Sequence, residues 1–379
     1  MTGLSADERQ ELAQSVRAAC DRFVPEEQVR AVAYCDQRGG VDVGLWKVLC
    51  SQVGVAAIAL PERLGGASYG APALGVVAHQ LGRALAPVPF VASTVLATGL
   101  LLGVREGDPD TEKCLSGLLD GQRTAAAAIT DDGGLWHHGA VTLAASRRGA
   151  GWSINGAVRH VLNGTAADDV VVVAMADNEP ALFLVDPTAE GITIEAERVL
   201  DGTRPMATIT FSEASATRLT VEGPVGDLIE RNVTLTLAVL AAEQVGACER
   251  VLEIATDYAR TREQFGRPIG TFQAIKHKCA DMLVDLEWAR SAAQAALQAV
   301  SGEAGETASE AGWRASMAKA VCSEALRNAA HANIQIRGGI GFTWEDSAHL
   351  YLRRARTDEV LFGTPGQHWD RLAAVAAPL

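Results

Sequence analysis

Apolar residues in the first third of the chain recur at the three-to-four-residue spacing of helices buried on one side. From Glu8 to Phe23, the residues Ala13, Val16, Ala19, Cys20 and Phe23 share a face, with Ser5 or Asp7 placed to cap the helix start. Gly44 to Val53 reads as a second helix. Leu60-Pro61-Glu62-Arg63-Leu64-Gly65-Gly66 interrupts the pattern, because Pro lacks a donor and the Gly pair loosens the backbone. A helix from Pro72 to Leu85 ends at Pro87, and apolar helix continues to Leu102.

Near Thr124 the period changes to that of strands. Thr142-Leu143-Ala144-Ala145, Trp152-Ser153-Ile154, Val170 to Val173, Ala181 to Val185 and Thr208 to Phe211 are short β-branched or alternating runs. Asn155-Gly156 and Asn163-Gly164 read as hairpin-type turns between them. Beyond Pro224 the helical period returns: Asp227 to Arg260, Phe272 to Val300, Glu310 to Gly338 and a final helix from Ala348 to Arg356, with Ser301 to Glu306 as a loop. The order α, then β, then α predicts an α+β protein rather than an alternating parallel sheet. Its expected parts are an N-terminal α-helical domain (1–120), a middle β-barrel or sandwich domain (121–225) and a C-terminal four-helix bundle (226–379).

Composition narrows the partners. With 48% hydrophobic and 21% charged residues the chain is ordinary globular protein, and its 379 residues suit two to three domains. A formal charge of -13 argues against nucleic acid, which needs a basic surface. No apolar run approaches the ~20 residues that span a bilayer, so no membrane is expected. Met1 to Glu11 has no basic segment leading into an apolar one, and a cytoplasmic location is expected. The seven cysteines are scattered and never in C-x-x-C spacing, which predicts buried thiols rather than disulfides or a zinc site. His137-His138 has no third ligand at metal spacing, so no metal is expected.

Two segments in the last third carry chemistry. In Tyr258 to His277, Arg262 stands at a helix end beside Gly266 and Pro268, where a guanidinium can fork onto a phosphate. In Gln335-Ile336-Arg337-Gly338-Gly339-Ile340-Gly341-Phe342, Gly338 either lets a backbone approach a ligand or simply ends a helix. The first resembles the Arg-x-x-Phe-Gly…Gln signature of acyl-CoA dehydrogenases, and the second resembles that family's Gln-x-x-Gly-Gly-x-Gly-Phe segment. The resemblance implies that family's fold, an acyl-CoA substrate and FAD bound across a dimer interface. It also implies a half-site of Arg262, Gln264, Phe265, Gln273, Gln335, Gly338 and Gly339 given to a neighbour's FAD, and an electron-transfer flavoprotein as acceptor.

The chain departs from the family where the chemistry should occur. Arg354 to Thr364 resembles the catalytic loop, in which a glutamate directly before Gly-Thr removes the acyl α-proton; here that position is Phe362, which cannot accept a proton. The family's Thr-Glu-Pro-x-Ala-Gly-Ser-Asp becomes Ile129-Thr130-Asp131-Asp132-Gly133-Gly134-Leu135-Trp136. Its Trp-Ile-Thr-Asn-Gly becomes His160-Val161-Leu162-Asn163-Gly164. Some members carry the base on the helix after the β domain, but Thr236 stands at that position. Glu243 is the weak alternative base there; Asp358 and Glu359 are expected to face solvent or cap a helix end. His160 reads as a titrating group or as an imidazole bonded across the sheet. Arg353, Arg354 and Arg356 are expected to meet ligand phosphates or to pair with acids.

The pattern predicts a subunit without its own base that completes the FAD site of a homologous, glutamate-bearing partner. It resembles the α2β2 enzymes of bacterial steroid catabolism. The alternatives are a self-sufficient homotetrameric dehydrogenase with a relocated base, or a flavin monooxygenase or oxidase of the same superfamily.

Overall fold

The computed structural model describes residues 4–34, 38–149, 151–302 and 305–376. The first helix, α1 (Ala6–Phe23), starts with a capping box: the Glu8 amide donates to Ser5 Oγ at 3.3 Å, and the Ser5 amide donates to the Glu8 carboxylate at 2.8 Å. Then follow α2 (Glu26–Ala33), α3 (Val43–Val48) and α4 (Gly70–Ala84). The predicted apolar helix appears as a π-helical segment, Phe90–Ala97, buried at every residue, running into α5 (Thr98–Leu101). Next comes α6 (Pro109–Leu118), capped by Asp108 with Pro109 in its first turn.

Seven strands follow: β1 (Ala125–Ala128), β2 (Ala144–Arg148), β3 (Gly151–Leu162), β4 (Asp169–Ala176), β5 (Glu179–Val185), β6 (Ile192–Ala196) and β7 (Met206–Leu219). Pairings β4–β2–β3–β7–β5 return to β4, so the sheet closes on itself, with β1 added to β4 and β6 to β7. Inside lie Leu143, Ile154, Val158, Val172, Phe183 and Phe211. Asn155-Gly156 is not a hairpin turn. It lies within β3, where the register against β7 shifts, and the Asn155 side chain accepts the Glu213 amide at 2.8 Å. The Gly φ that suits a turn here serves a bulge.

The C-terminal helices are α7 (Val225–Thr261), α8 (Gln273–Ser301), α9 (Ala308–Arg337), α10 (Ala348–Val360) and α11 (Pro365–Ala376), with a small hairpin of β8 (Glu263–Gln264) and β9 (Arg267–Pro268) after α7. Part of the expected loop Ser301 to Glu306 lies outside the described residues. Helix α11 was not expected, and α10 runs past Arg356 to Val360. Helices α4 and α7 touch backbone to backbone: a Cβ on Gly246 would stand 1.9 Å from the His79 carbonyl oxygen. The six described cysteines are free thiols; Cys35 lies outside the described residues. No described helix is long and apolar enough to cross a membrane.

Candidate functional site

Helix α10 delivers Phe362 to the junction of the barrel and the helical bundle, where its side chain is 7% exposed. Phe362 has φ +56, unfavourable for a residue with a Cβ, and hydrogen bonds hold it there. Its amide donates to the Gly133 carbonyl at 3.0 Å, and its carbonyl accepts from His368 Nε2 at 3.1 Å. Gly363 follows at φ +105, where a Cβ would stand 3.1 Å from His368 Nε2 and from Leu135 Cδ1. Lys319, fully buried, donates from Nζ to the carbonyls of Glu359 (3.3 Å) and Gly363 (3.0 Å) and to Ser323 Oγ (3.1 Å). Burial lowers the Lys319 amine to about 8 and the His368 imidazole to about 4, so near neutrality the amine carries its charge while the imidazole is neutral. The accepting Phe362 carbonyl then assigns the His368 proton to Nε2.

The space in front of Phe362 is almost filled. A cavity of about 20 Å³ remains, lined by Leu96, Thr130, Val158, His160, Leu162 and Phe362 among others. That volume suits a single water and no larger group. It does not fit the three-ring head of a flavin. Beyond Gly133 and His160 a much larger groove of about 1060 Å³ opens, with Asp131, Arg159, Arg198 and Arg356 along it. His160 marks the division. It sits at φ +57 in a bulge of β3, and Glu197 takes both its amide (2.8 Å) and its Nδ1 (2.5 Å), while Thr208 Oγ1 also donates to Glu197 at 2.8 Å. The imidazole is thus bonded across the sheet.

The nearby carboxylates are committed to arginines. Asp358 and Glu359 do not face solvent; both are buried. Helix α10 continues past Arg356 to Val360, and Asp358 and Glu359 share its buried face with Arg354 and Ala355. Arg354 Nε meets Asp201 at 2.6 Å and its guanidinium also reaches Glu243 and, at 2.6 Å, Thr203 Oγ1. Arg204 bridges Glu243 and Asp358, the latter at 3.0 Å. Burial raises the Asp358 carboxyl to about 6, against the lowering by Arg204 and Arg354. Glu359 pairs with Arg327 (2.6 Å) and Arg356 (2.5 Å). Glu243, the weak alternative base, is therefore a buried partner of two guanidiniums, those of Arg204 and Arg354. Thr236 is fully buried and donates to the Asn232 carbonyl at 2.8 Å. Of the three arginines expected to meet phosphates or acids, Arg354 and Arg356 pair with acids, while Arg353 lies over Tyr34 and Trp344 at 5.6 and 5.4 Å. The buried Asp201, Arg204, Lys319 and His368 were not anticipated. The trace of Lys319 in the sequence is a charged residue on a helix face rich in alanine and small polar residues.

The second constellation lies at the other end of the bundle. The Tyr258 hydroxyl donates to the Arg337 carbonyl at 3.5 Å, and Arg337 Nη2 donates to the Ile254 carbonyl at 3.3 Å, which brings the ends of α7 and α9 together. Arg262, Gln264, Phe265, Gln273, Gln335, Gly338 and Gly339 are all exposed. Phe265 is 92% exposed, and Phe342 and Trp288 stand out at 74% and 69%. Gly338 caps α9 at φ +66 with open space around it. Arg262 has no side-chain partner among the described residues. Isolated apolar side chains are ordinary on a surface, but Phe265 stands almost fully exposed three residues from the uncommitted Arg262 guanidinium.

Residues 227–377 match the family described as acyl-CoA dehydrogenase, C-terminal domain, and residues 7–121 match acyl-CoA dehydrogenase, N-terminal domain. The chain is 33% identical over 368 residues to acyl-CoA dehydrogenase IpdE2 of Mycobacterium tuberculosis, covering 97% of this chain and 96% of that protein. Among solved structures, it is similar to the ChsE4-ChsE5 complex from Mycobacterium tuberculosis, with 28% identity, full coverage of both chains and a TM-score of 0.86. It is also similar to the Tcur3481-Tcur3483 steroid ACAD, with 28% identity, 98% coverage of each chain and a TM-score of 0.85. The chain belongs to the acyl-CoA dehydrogenase family.

Proposed function

We propose that this acyl-CoA dehydrogenase family member is the subunit of a heteromeric FAD-dependent enzyme that lacks its own base and completes a partner's cofactor site. The observation that carries this reading is the cavity of about 20 Å³ at Phe362, too small for flavin or substrate, together with the separate set of exposed residues suited to another chain's cofactor. In this reading Arg262 holds a phosphate of the partner's FAD, and Gln264, Phe265, Gln273, Gln335, Gly338 and Gly339 line the rest of that half-site. When bound, FAD supplies the hydride acceptor for α,β-dehydrogenation of an acyl-CoA. The partner's chain supplies the proton acceptor. This chain's residues orient the cofactor and, through Phe362, close their own junction to substrate.

The similarity to ChsE4-ChsE5, a complex of two different chains, supports a homologous partner. The similarity to a steroid ACAD supports a steroid-derived acyl group. An electron-transfer flavoprotein is the acceptor this reading implies. The chain is assayed alone and after co-expression with a homologous subunit that carries the glutamate. The expected result is no acyl-CoA oxidation alone and activity with tightly bound FAD in the complex. Robust oxidation by the single chain would overturn the proposal. The self-sufficient alternative is disfavoured, because Glu243 and Glu359 are each held by two arginines.

A further inference from the structure

A third cavity shares no lining residue with the space at Phe362 or with the larger groove beside it. It measures about 400 Å³ and is an open groove between α1, α4, α7 and α8, within the size range of small-molecule pockets, about 300–1,000 Å³. Its floor is apolar, with Leu4, Pro72, Val76, Val245 and Leu297. Its polar lining is one-sided: Arg9, Arg290, His79 and four glutamines, with no carboxylate, although the chain as a whole carries a charge of -13.

These polar groups differ in availability. Arg290 is neutralised by Glu287 and by Glu249 at 3.2 Å, and His79 Nε2 meets the same Glu249 at 3.1 Å. Arg9 spends only Nε, which donates to the Leu4 carbonyl at 3.0 Å, so both its terminal nitrogens are free of partners among the described residues. The amides of Gln10, Gln294 and Gln298 are likewise free among the described residues. Gln80 carries a buried carbonyl oxygen with no hydrogen-bond partner while its amide nitrogen lies 3.1 Å from His79 Nδ1. An apolar floor, one uncommitted guanidinium and several free amide donors suit a ligand with an apolar body and a single carboxylate. A polyanion would find one free cation and an unfavourable floor.

We infer that this cavity is a binding site for an amphipathic monocarboxylate, separate from the junction at Phe362. The tail lies along Val76, Val245 and Leu297, and the carboxylate accepts from the terminal nitrogens of Arg9 and from the glutamine amides. The inference needs neither flavin nor a partner chain, so its test is independent of the dehydrogenase reading.

Isothermal titration calorimetry of the full chain with decanoate measures the site, with decyltrimethylammonium as the probe of opposite charge. Saturable binding of decanoate at one per chain is expected, with the cation at least tenfold weaker. Arg9→Ala, on the exposed rim, should weaken decanoate about tenfold, the loss of one charge-assisted contact. Val76→Phe should fill the floor and remove binding, with far-UV circular dichroism confirming that it folds. The inference is overturned if decanoate does not saturate, if the cation binds equally well, or if Arg9→Ala leaves the affinity unchanged. Wild-type affinity in a folded Val76→Phe variant overturns it as well.

Discussion

The junction around Phe362 and the surface around Arg262 come from the same helical bundle but are built on opposite terms. At the junction the charged groups are paired within the chain: arginines on carboxylates, Lys319 and His368 on backbone carbonyls, the Phe362 amide on Gly133, although His368 Nδ1 is buried without a hydrogen-bond partner. At the surface, Arg262 and the glycines after α9 have no such commitments, and Phe265 projects into solvent. The difference is one of satisfaction. A closed, self-satisfied site resists ligands, whereas an open face with free donors and aromatic rings is complementary to something else.

The comparison breaks most sharply at Arg354. Arg354→Met leaves Asp201 and Glu243 buried with fewer partners and should cost about 3–5 kcal/mol in chemical denaturation. A loss under about 1 kcal/mol would mean that the ion network does not hold the junction. Next is pH. His368 is held neutral in the fold, with its pKa lowered to about 4 from 6.5, so the unfolded chain binds the extra proton first. Its contribution, roughly 3 kcal/mol, is present above pH 6.5 and lost as pH falls to 4. Asp358, raised to about 6 from 3.8, acts in the opposite sense between those values, since the folded state takes up its proton first. The check is therefore the difference between wild type and His368→Gln: the variant should show the smaller fall in stability between pH 6.5 and 4. Lys319→Met should cost about 1–3 kcal/mol by leaving the Glu359 and Gly363 carbonyls without their donor.

The open face predicts the reverse signature. Arg262→Ala should change stability by no more than about 0.5 kcal/mol, as surface substitutions do. In a co-expressed complex it should lower FAD affinity about tenfold, measured by flavin fluorescence on dialysis. Phe362→Glu has the smallest expected effect on activity. Restoring a carboxylate in a cavity of about 20 Å³ should leave the single chain without measurable acyl-CoA oxidation.

Periodicity made the helix–sheet–helix order legible, because the spacing of apolar residues records which face is buried. Strand β1 escaped it: Ala125 to Ala128 are four buried alanines with no alternation to read. The Asn155-Gly156 turn was misplaced because the dipeptide's conformational signal serves bulges as well as hairpins. The substitution at Phe362 was visible in the sequence, whereas its surroundings were not. Asp201 and Arg204, Glu243, and Arg354 and Asp358 lie in three stretches far apart along the chain, and only tertiary packing turns them into one network. Asp358 and Glu359 read as facing solvent or capping a helix end because no local pattern announces Arg204, more than a hundred residues away, or Arg327 on a neighbouring helix; only the Arg356–Glu359 pair is local.

The most direct test of the central claim is the flavin-to-protein ratio of this chain purified alone and in complex with a glutamate-bearing homologous subunit. The account predicts almost no FAD on the single chain and one FAD for every two chains in the complex. One FAD per chain in the single-chain preparation would contradict it.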